Sequence, residues 1–217
     1  MRIRAEQVAV QGAHGPLLHP TSLTIAPGQL ALVRGEPHAG HTAFGLAITG
    51  RLNPTAGLVT VDGRADAETL RTRSALVDAD GITAPEGSLR LADVVAEELA
   101  LLGRPARRRD ALGWLARHRA ESYAGQRIDA LPPGVRIGLL TELAARDDVR
   151  LLVLDTPDRH TGNTQAWWPL ALRQAERGHA VVVLCATSAA RLLPLQAAQL
   201  GQTEQPAPLT VNVEAAS

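Results

Sequence analysis

Lysine is absent from this 217-residue sequence, so all 22 basic residues other than histidine are arginines. Aromatic residues make up only 2% of the chain, and a hydrophobic core must therefore be built mainly from alanine, leucine and valine. A single cysteine, Cys185, lies in the apolar run AVVVLCA. One cysteine excludes an intrachain disulfide, and its apolar surroundings favour a buried structural position. The lack of lysine excludes any site that depends on an ammonium side chain.

The chain also lacks net charge and long hydrophobic runs. Its 22 acidic residues balance its 22 arginines. A dedicated nucleic-acid-binding protein usually carries a strong basic excess, so we expect no nucleic-acid partner. The apolar runs LLVLD and AVVVLCA are too short to span a bilayer. The N-terminal stretch MRIRAEQVAV has no hydrophobic signal region, and we expect a soluble intracellular protein.

The apolar residues that are present form short runs typical of an α/β protein. IRAEQVAV and PTSLTIAPGQLALVRG predict strands, with a turn at APG. HTAFGLAITGRL follows, with apolar residues at helical spacing. VRLLVLD and HAVVVLCA are continuous apolar runs, as expected for parallel strands covered on both faces. NTQAWWPLALRQAERG, between them, predicts a helix. TAGLVTVDGR and RTRSALVDADG predict two further short strands.

Residues 86–130 have a different pattern from the rest of the chain. LRLADVVAEELALLG and ARRRDALGWLARHRAESYAG are amphipathic and predict an all-helical insert. VRIGLLTELAARDD predicts a further helix after it. Residues 201–217 are polar and contain proline, and we expect them to form a loose tail.

The stretch RGEPHAGHTA, residues 34–43, has the spacing of a phosphate-binding loop. That motif is G-x-x-x-x-G-K-[ST], in which backbone N–H groups surround phosphates at the start of a helix. Gly35, Gly40 and Thr42 match it, and His41 stands where the motif has lysine. The stretch lies between a predicted strand and a predicted helix, which is the context that the motif requires.

A second element supports this interpretation 113 residues further on. RLLVLDTPD is an apolar strand that ends in Asp155. An aspartate at that place can bind a magnesium ion opposite the hydroxyl of Thr42. Asp155 could instead cap the end of its strand, and a glycine turn without a ligand could account for the loop alone. The two elements together favour the phosphate site.

The order of segments over about residues 2–200 resembles the nucleotide-binding domain of ABC (ATP-binding cassette) transporters. PTSLTIAPGQLALVRGEPHAGHTAFGLAITGRLNPTAGLVTVDG is similar to the N-terminal half of that family. IDALPPGVRIGLLTELAARDDVRLLVLDTPD is similar to its signature helix and magnesium-binding strand. The resemblance implies an α/β P-loop NTPase of ABC ATPase type, with an antiparallel β subdomain and a short helical subdomain. Residues 1–200 would form this domain, and residues 86–130 its helical subdomain.

The same resemblance implies ATP and Mg²⁺ as cofactors. The metal would be held by Thr42 and Asp155. The nucleotide would be held by the loop residues Gly35, Glu36, Pro37, His38, Ala39, Gly40, His41, Thr42 and Ala43. Two domains of this family sandwich two ATP molecules and dock on a membrane permease. The implied partners are a permease or a second ABC ATPase subunit, at the cytoplasmic face of the membrane, with homodimer and heterodimer both left open.

The loop departs from the family pattern at two positions. The family lysine gives a full charge to the β- and γ-phosphates, worth about 4 kcal/mol at 4 Å and an effective dielectric constant near 20. His41 is shorter, and a histidine with an ordinary pKa of about 6.5 is mostly neutral at pH 7. His38 replaces a glycine, which can crowd the loop. Arg34 is the nearest cation that could compensate for the missing lysine.

Further departures affect the family's other nucleotide contacts. The adenine-stacking aromatic residue has no counterpart in VAVQGAH, and the signature LSGGQ becomes LPPGV. Proline has no N–H group to donate to a phosphate. The family glutamine falls at Ala79, and two signature positions fall at Pro132 and Pro133. The catalytic glutamate falls at Thr156, the switch histidine at Ala186 and the dimer-loop aspartate near Gly162. We therefore assign no catalytic residue.

These losses favour an ABC-type ATP-binding subunit with a degenerate site, a pseudo-ATPase with weak or no hydrolysis. Loss of an acid–base group alone commonly costs about 10²–10⁴-fold in rate. The alternative is a nucleotide-free scaffold that keeps the ABC fold only. A small-molecule kinase with the same loop is disfavoured by the absence of lysine and by the helical insert. The basic run GRPARRRDALGWLARHR favours a solvated helix face over a docking surface.

Overall fold

The computed structural model describes residues 1–211, in which short strands and helices form two sheets with flanking helices. The strands are β1 (Ile3–Gly12), β2 (Gly15–Ile25), β3 (Gln29–Gly35), β4 (Ala56–Val61), β5 (Ser74–Val77), β6 (Leu151–Asp155), β7 (Ala180–Ala186), β8 (Ala198–Gln199) and β9 (Leu209–Thr210). The helices are α1 (His41–Ile48), α2 (Ala67–Arg73), α3 (Leu91–Leu101), α4 (Arg108–Arg117), α5 (Pro133–Ala144), α6 (Trp168–Glu176) and α7 (Thr187–Ala190). Short 3₁₀ turns lie at Glu121–Tyr123, Ile128–Ala130, Pro157–Arg159 and Thr164–Ala166.

The first sheet is antiparallel and has the strand order β2-β1-β4. Its central strand places Ile3 opposite Ile25 on one side and opposite Val61 on the other. These three side chains are buried, whereas neighbouring Arg4 is exposed. The sheet therefore covers the core with one face and meets solvent with the other, as alternating antiparallel strands do.

The second sheet is built on the order β5-β6-β7-β3-β8, and all of these strands are parallel. Strands β6 and β7 lie at its centre and are buried along almost their whole length. This burial agrees with the continuous apolar runs in their sequences. The carboxyl ends of β3, β5, β6 and β7 meet at one edge of the sheet, where ligands of open α/β sheets commonly bind.

Two hydrophobic clusters cover the two faces of the parallel sheet, and β3 contributes to both. Leu30 and Leu32 pack in the cluster that contains α3, α5 and α6. Ala31 and Val33 pack in the other cluster, with Phe44 of α1 and the first sheet. Since side chains alternate along a strand, Arg34 projects on the same face as Leu30 and Leu32, away from α1.

The region 86–130 contains α3, α4 and two 3₁₀ turns, in agreement with the helical pattern of its sequence. Trp114 of α4 is buried in the larger cluster, and its ring stacks on His118 at a centroid distance of 3.9 Å. Trp167 is fully buried in the same cluster. The tryptophans thus serve packing in this fold. The exact limits of a helical subdomain stay a prediction.

Two features differ from the expectations drawn from the sequence. Helix α2 was expected as part of a strand-containing segment, but Asp66 caps it by accepting a hydrogen bond from the Thr69 N–H at 2.9 Å. The expected loose tail contains β9, which pairs antiparallel with the first residues of β3. The remainder of that tail, residues 212–217, lies outside the described residues. Within residues 1–211, no helix is long and apolar enough to cross a membrane.

Candidate functional site

The loop between β3 and α1 is shaped by Gly40, which ends it. Gly40 has a φ of +96°, and a Cβ there would lie 2.2 Å from the carbonyl oxygen of Leu17 in β2. No other residue fits this position without moving the neighbouring strand. His38 also adopts a positive φ, +66°, where glycine is usual. The loop therefore wraps tightly around the start of α1, whose first N–H groups favour an anion.

Thr42 and Asp155 are brought together as the sequence predicts. The Thr42 hydroxyl donates a hydrogen bond to Oδ2 of Asp155 at 2.6 Å. Asp155 is 2% exposed, and its second oxygen, Oδ1, is buried with no hydrogen-bond partner among residues 1–211. Burial raises the pKa of the Asp155 carboxyl, although the Thr42 hydrogen bond and the positive charge of Arg159 oppose this effect.

This pair fits a magnesium ion. Mg²⁺ prefers hard oxygen ligands and usually takes one or two protein oxygens together with water and phosphate. The unpartnered Oδ1 of Asp155 and the hydroxyl of Thr42 are ligands of that type. No group of three or more His, Cys, Asp or Glu side chains forms a metal cluster in the described part of the chain. A cation here would therefore depend on phosphate and water for its other ligands.

The imidazole ring of His41 lies over the loop. Its Nε2 lies 3.0 Å from the carbonyl oxygen of Cys185, at the end of β7. A Cβ built on Gly35 would lie 3.0 Å from both Nε2 and Cε1 of that ring. The imidazole thus occupies space at the mouth of the loop and is engaged with the protein backbone.

Arg34 does not face this loop, contrary to the role considered for it from the sequence. Its Nη2 donates to Oε1 of Gln199 at 2.8 Å. It also lines a surface groove with Arg191 and Leu193. The reason is the alternation of β3, which directs residue 34 to the face opposite α1. Arg34 therefore cannot replace the missing lysine.

The segment after β6 contains two site residues that the sequence analysis did not single out. Arg159 donates from Nη1 to the carbonyl oxygen of Asp155 at 2.8 Å. Asp158 accepts a hydrogen bond from the N–H of Ala186 at 3.0 Å, and its Oδ1 is buried without a partner within residues 1–211. Asp158 thus holds the backbone at Ala186, where the resemblance leads us to expect the switch histidine. The feature of the sequence that could have identified Asp158 and Arg159 is their closeness to Asp155.

Thr156, where the resemblance leads us to expect the catalytic glutamate, adopts a left-handed conformation, with φ of +46° and ψ of +56°. Its N–H donates to the carbonyl oxygen of Leu184 at 2.9 Å. The hydroxyl lies 3.4 Å from Nη1 of Arg159. A threonine hydroxyl cannot act as a general base near neutral pH, since it stays protonated.

The start of α5 lies where the resemblance leads us to expect the signature segment. Pro132 caps the helix and Pro133 is its first residue. The N–H groups of Val135 and Arg136 donate back to the carbonyl oxygen of Pro132. Neither proline has an N–H group, so this helix end offers fewer backbone donors to a phosphate than LSGGQ would.

A buried ion cluster joins this helix to the site. Asp78, at the end of β5, accepts hydrogen bonds from Nε and Nη2 of Arg136 at 3.1 and 2.6 Å. Arg159 and His160 reach the same carboxylate at 3.2 and 2.8 Å. Burial acts to raise the pKa of Asp78, but the hydrogen bonds from His160 and Arg136 and the charge of Arg159 outweigh it, so the pKa is lowered.

Asp78 is adjacent to Ala79, where the resemblance leads us to expect the family glutamine. We call the group Asp78, Arg136, Arg159 and His160 the Asp78 cluster. It links three segments that are distant in sequence. The feature of the sequence that points to this cluster is an aspartate directly after a buried strand.

Comparisons with known proteins agree with this fold. No protein-family model matches the chain. The taurine import ATP-binding protein TauB of Yersinia pestis is 32% identical over 149 residues, 65% of this chain and 55% of that protein. TauB of Pseudomonas savastanoi is 30% identical over 159 residues, covering 71% and 60%. The hemin import ATP-binding protein HmuV of Rhizobium meliloti is 42% identical over 62 residues, covering 29% and 24%. The chain thus spans 60% or less of the length of these relatives.

Solved structures give the same result. An ATP-binding subunit of an ABC transporter superposes with a TM-score of 0.65 and 16% identity, covering 97% of this chain and 90% of that one. An ABC transporter ATP-binding protein from Pyrococcus furiosus gives 0.63 and 16%, covering 86% and 92%. The fold is that of an ABC ATPase domain, an α/β P-loop NTPase. The resemblance to the ABC nucleotide-binding domain is therefore confirmed, since curated relatives are ATP-binding subunits of that family and structural neighbours are its ATPase domains.

Proposed function

We propose that this chain is the ATP-binding subunit of an ABC-type import system, with a nucleotide site that hydrolyses ATP weakly or not at all. It would act at the cytoplasmic face of a membrane, beside a permease or an intact ATPase subunit. The import role rests on relatives named as taurine and hemin import ATP-binding proteins. Their cargoes are not assigned to this chain.

The observation that carries nucleotide binding is the contact between Thr42 and Asp155. It joins the helix start after the phosphate loop to the end of β6, which β7 separates from β3 in the parallel sheet. Loop residues 35–43 would contact the phosphates, mainly through backbone N–H groups. Thr42 and Asp155 would hold Mg²⁺, which neutralises phosphate charge when bound. Neither role needs a lysine, although affinity is lower without one.

The weak hydrolysis is argued from the groups around the γ-phosphate position. Thr156 has no carboxylate to orient or activate a water molecule. Ala186 presents only its backbone, and that N–H is already bonded to Asp158. The chemical step would thus depend on backbone dipoles and the metal. Binding and hydrolysis are separable in this design, and binding is the property that the loop retains.

The partner is argued from the start of α5. In a symmetric dimer, each site would face Pro132 and Pro133 of the other copy, which lack N–H donors. A partner with an intact LSGGQ segment would supply donors to this chain's nucleotide. We therefore favour a heterodimer with an intact ATPase over a homodimer.

MgATP binding and turnover of the purified chain test this proposal, alone and with an intact ABC ATPase subunit. We expect saturable binding, turnover at least 100-fold below that of the intact subunit alone, and no gain from Thr156→Glu without His41→Lys. Thr42→Ala should weaken Mg²⁺-dependent binding, while Thr55→Ala, outside the site, should not. Turnover comparable to that of the intact subunit would contradict the pseudo-ATPase role.

A nucleotide-free scaffold is the second candidate, and the placement of His41 favours it. The ring lies over Gly35 and bonds to the carbonyl oxygen of Cys185, so the loop entrance is partly filled by the protein itself. Under this function the fold would act by docking alone. Isothermal titration calorimetry with MgATP separates the two: saturable micromolar binding rules the scaffold out, and no binding for either wild type or His41→Lys supports it.

A further inference from the structure

A permanent positive charge near the phosphates would raise nucleotide affinity, and the loop itself does not supply one. His41 is engaged with the carbonyl oxygen of Cys185. Arg34 is bonded to Gln199 on the opposite face of β3. Any lysine-like contribution would therefore come from another segment, and the segment after β6 carries an arginine that is bonded to the carbonyl oxygen of Asp155.

Arg159 is positioned to make that contribution. Its Nη1 lies 2.8 Å from the carbonyl oxygen of Asp155, and its Nη2 lies 3.2 Å from Oδ1 of Asp78. The guanidinium thus bridges the strand end that carries the candidate metal ligand and the Asp78 cluster.

The charge balance of the cluster leaves Arg159 available. Asp78 is held by Arg136 through two hydrogen bonds, at 3.1 and 2.6 Å, and by His160 at 2.8 Å. The Arg159 contact is longer, and its side chain is 25% exposed against 10% for Arg136. Asp78 therefore faces two arginines, and Arg159 is the more exposed and the less closely held of the two. An arginine fork is also well suited to phosphate.

We propose that Arg159 is the phosphate-binding cation of this site and replaces the missing loop lysine. Asp78 and Arg136 act as positioning residues that keep the guanidinium beside Asp155 before nucleotide arrives. On binding, the fork turns from Asp78 toward the phosphates, while Arg136 and His160 remain on the carboxylate. No bond is made or broken in this step. The inference rests on the proposed nucleotide binding.

Calorimetry with MgATP, MgADP and AMP on matched variants tests the proposal. Arg159→Gln should weaken MgATP binding at least tenfold, MgADP less and AMP least, because the lost interaction grows with phosphate charge. Arg159→Lys should stay within about threefold of wild type. Arg34→Gln removes the same charge from the other face of β3 and should change affinity less than twofold. Circular dichroism verifies folding, which Arg159→Gln should preserve since Arg136 and His160 still hold Asp78.

A rescue variant separates charge from structure. Adding His41→Lys to Arg159→Gln should restore MgATP affinity to within threefold of wild type, because the charge returns at the loop. Unchanged binding by Arg159→Gln, equal losses for ATP and AMP, or failed rescue by His41→Lys in a folded double variant would each overturn the assignment of Arg159. Absence of MgATP binding by the wild-type chain would instead overturn the proposed nucleotide binding, and with it this inference.

Discussion

The hydroxyl of Thr42 donates a hydrogen bond to Asp155 across 113 residues of sequence, at 2.6 Å. Between the two lie β4, α2, β5, the helical region and the whole of α5. The contact forms because α1 follows β3 and Asp155 ends β6, and both strands point toward the same edge of a parallel sheet. Their shared edge, not their sequence distance, determines that they meet.

Asp155→Asn should stabilise the folded protein at pH 7. The Asp155 carboxyl is buried with one oxygen unpartnered among the described residues, and burial raises its pKa because it disfavours the charged form. An amide at this place removes the cost of burying charge and still accepts from Thr42. We expect the free energy of unfolding to rise by about 1 kcal/mol, as when a functional residue is exchanged for stability. Urea unfolding measures this, with Asp62→Asn as a control; a clear loss of stability would contradict the account.

Gly40→Ala should be among the most damaging single substitutions in the loop. The new Cβ would lie 2.2 Å from the carbonyl oxygen of Leu17, and φ is +96°. Gly81→Ala is the matched control, because Gly81 also has positive φ, +66°, with nothing within 4 Å of the added Cβ. The control should cost about 1 kcal/mol from backbone conformation alone, and Gly40→Ala at least about 2 kcal/mol more. Equal losses of stability for the two variants in thermal unfolding would contradict this prediction, because they would show that β2 shifts away from the added Cβ at little cost.

Asp78→Asn should destabilise the protein strongly. It leaves Arg136, whose side chain is 10% exposed, buried without its counter-charge. Removing one partner of a buried ion pair typically costs about 3–5 kcal/mol. Asp148→Asn is the control, since Asp148 pairs with Arg146 at 3.1 Å but is 51% exposed. Such surface pairs contribute about 0–1 kcal/mol. Chemical denaturation should separate the two variants; similar losses would mean that the Asp78 cluster adds little.

The contribution of Asp78 to the free energy of unfolding should decrease as the pH falls. Its pKa is lower in the folded protein than in the unfolded chain, because His160, Arg136 and Arg159 hold the carboxylate charged. The stabilisation is therefore complete above the unfolded value, about 3.9, and is lost as pH falls toward the folded value. The stability difference between wild type and Asp78→Asn should be constant above about pH 5 and shrink below pH 4. A difference that grows on acidification would refute this assignment.

Several of these relationships could be predicted from the sequence, and others could not. The strands β6 and β7 and the loop before α1 have unbroken local patterns, so their meeting at one edge follows from parallel-sheet geometry. Arg34 was assigned the wrong environment because nearness in sequence to the loop outweighed the alternation along β3. Helix α2 was missed because its residues are mostly polar and its start depends on the cap at Asp66.

The Asp78 cluster could not be predicted because its members come from three segments. Arg136 lies 58 residues from Asp78, and His160 lies 82 residues from it. No local periodicity connects them, and the two prolines before Arg136 make the start of α5 difficult to predict from the sequence. Only the packing of α5 against the end of β5 makes Arg136 and Asp78 neighbours.

The short strand β9 has a consequence for biosynthesis. Thr210 and Leu209 pair with Gln29 and Leu30, and the Val211 N–H donates to the carbonyl oxygen of Gly28 at 2.8 Å. The first residues of β3 therefore lack this partner strand while a ribosome is still adding the 178 residues between Leu30 and Leu209, whereas β8 covers the other end of the same edge earlier. During that interval the exposed backbone is a template for pairing with other nascent chains. Strand β9 covers this backbone only late in synthesis. Chains that end before residue 209 should therefore be the species that aggregates in expression trials.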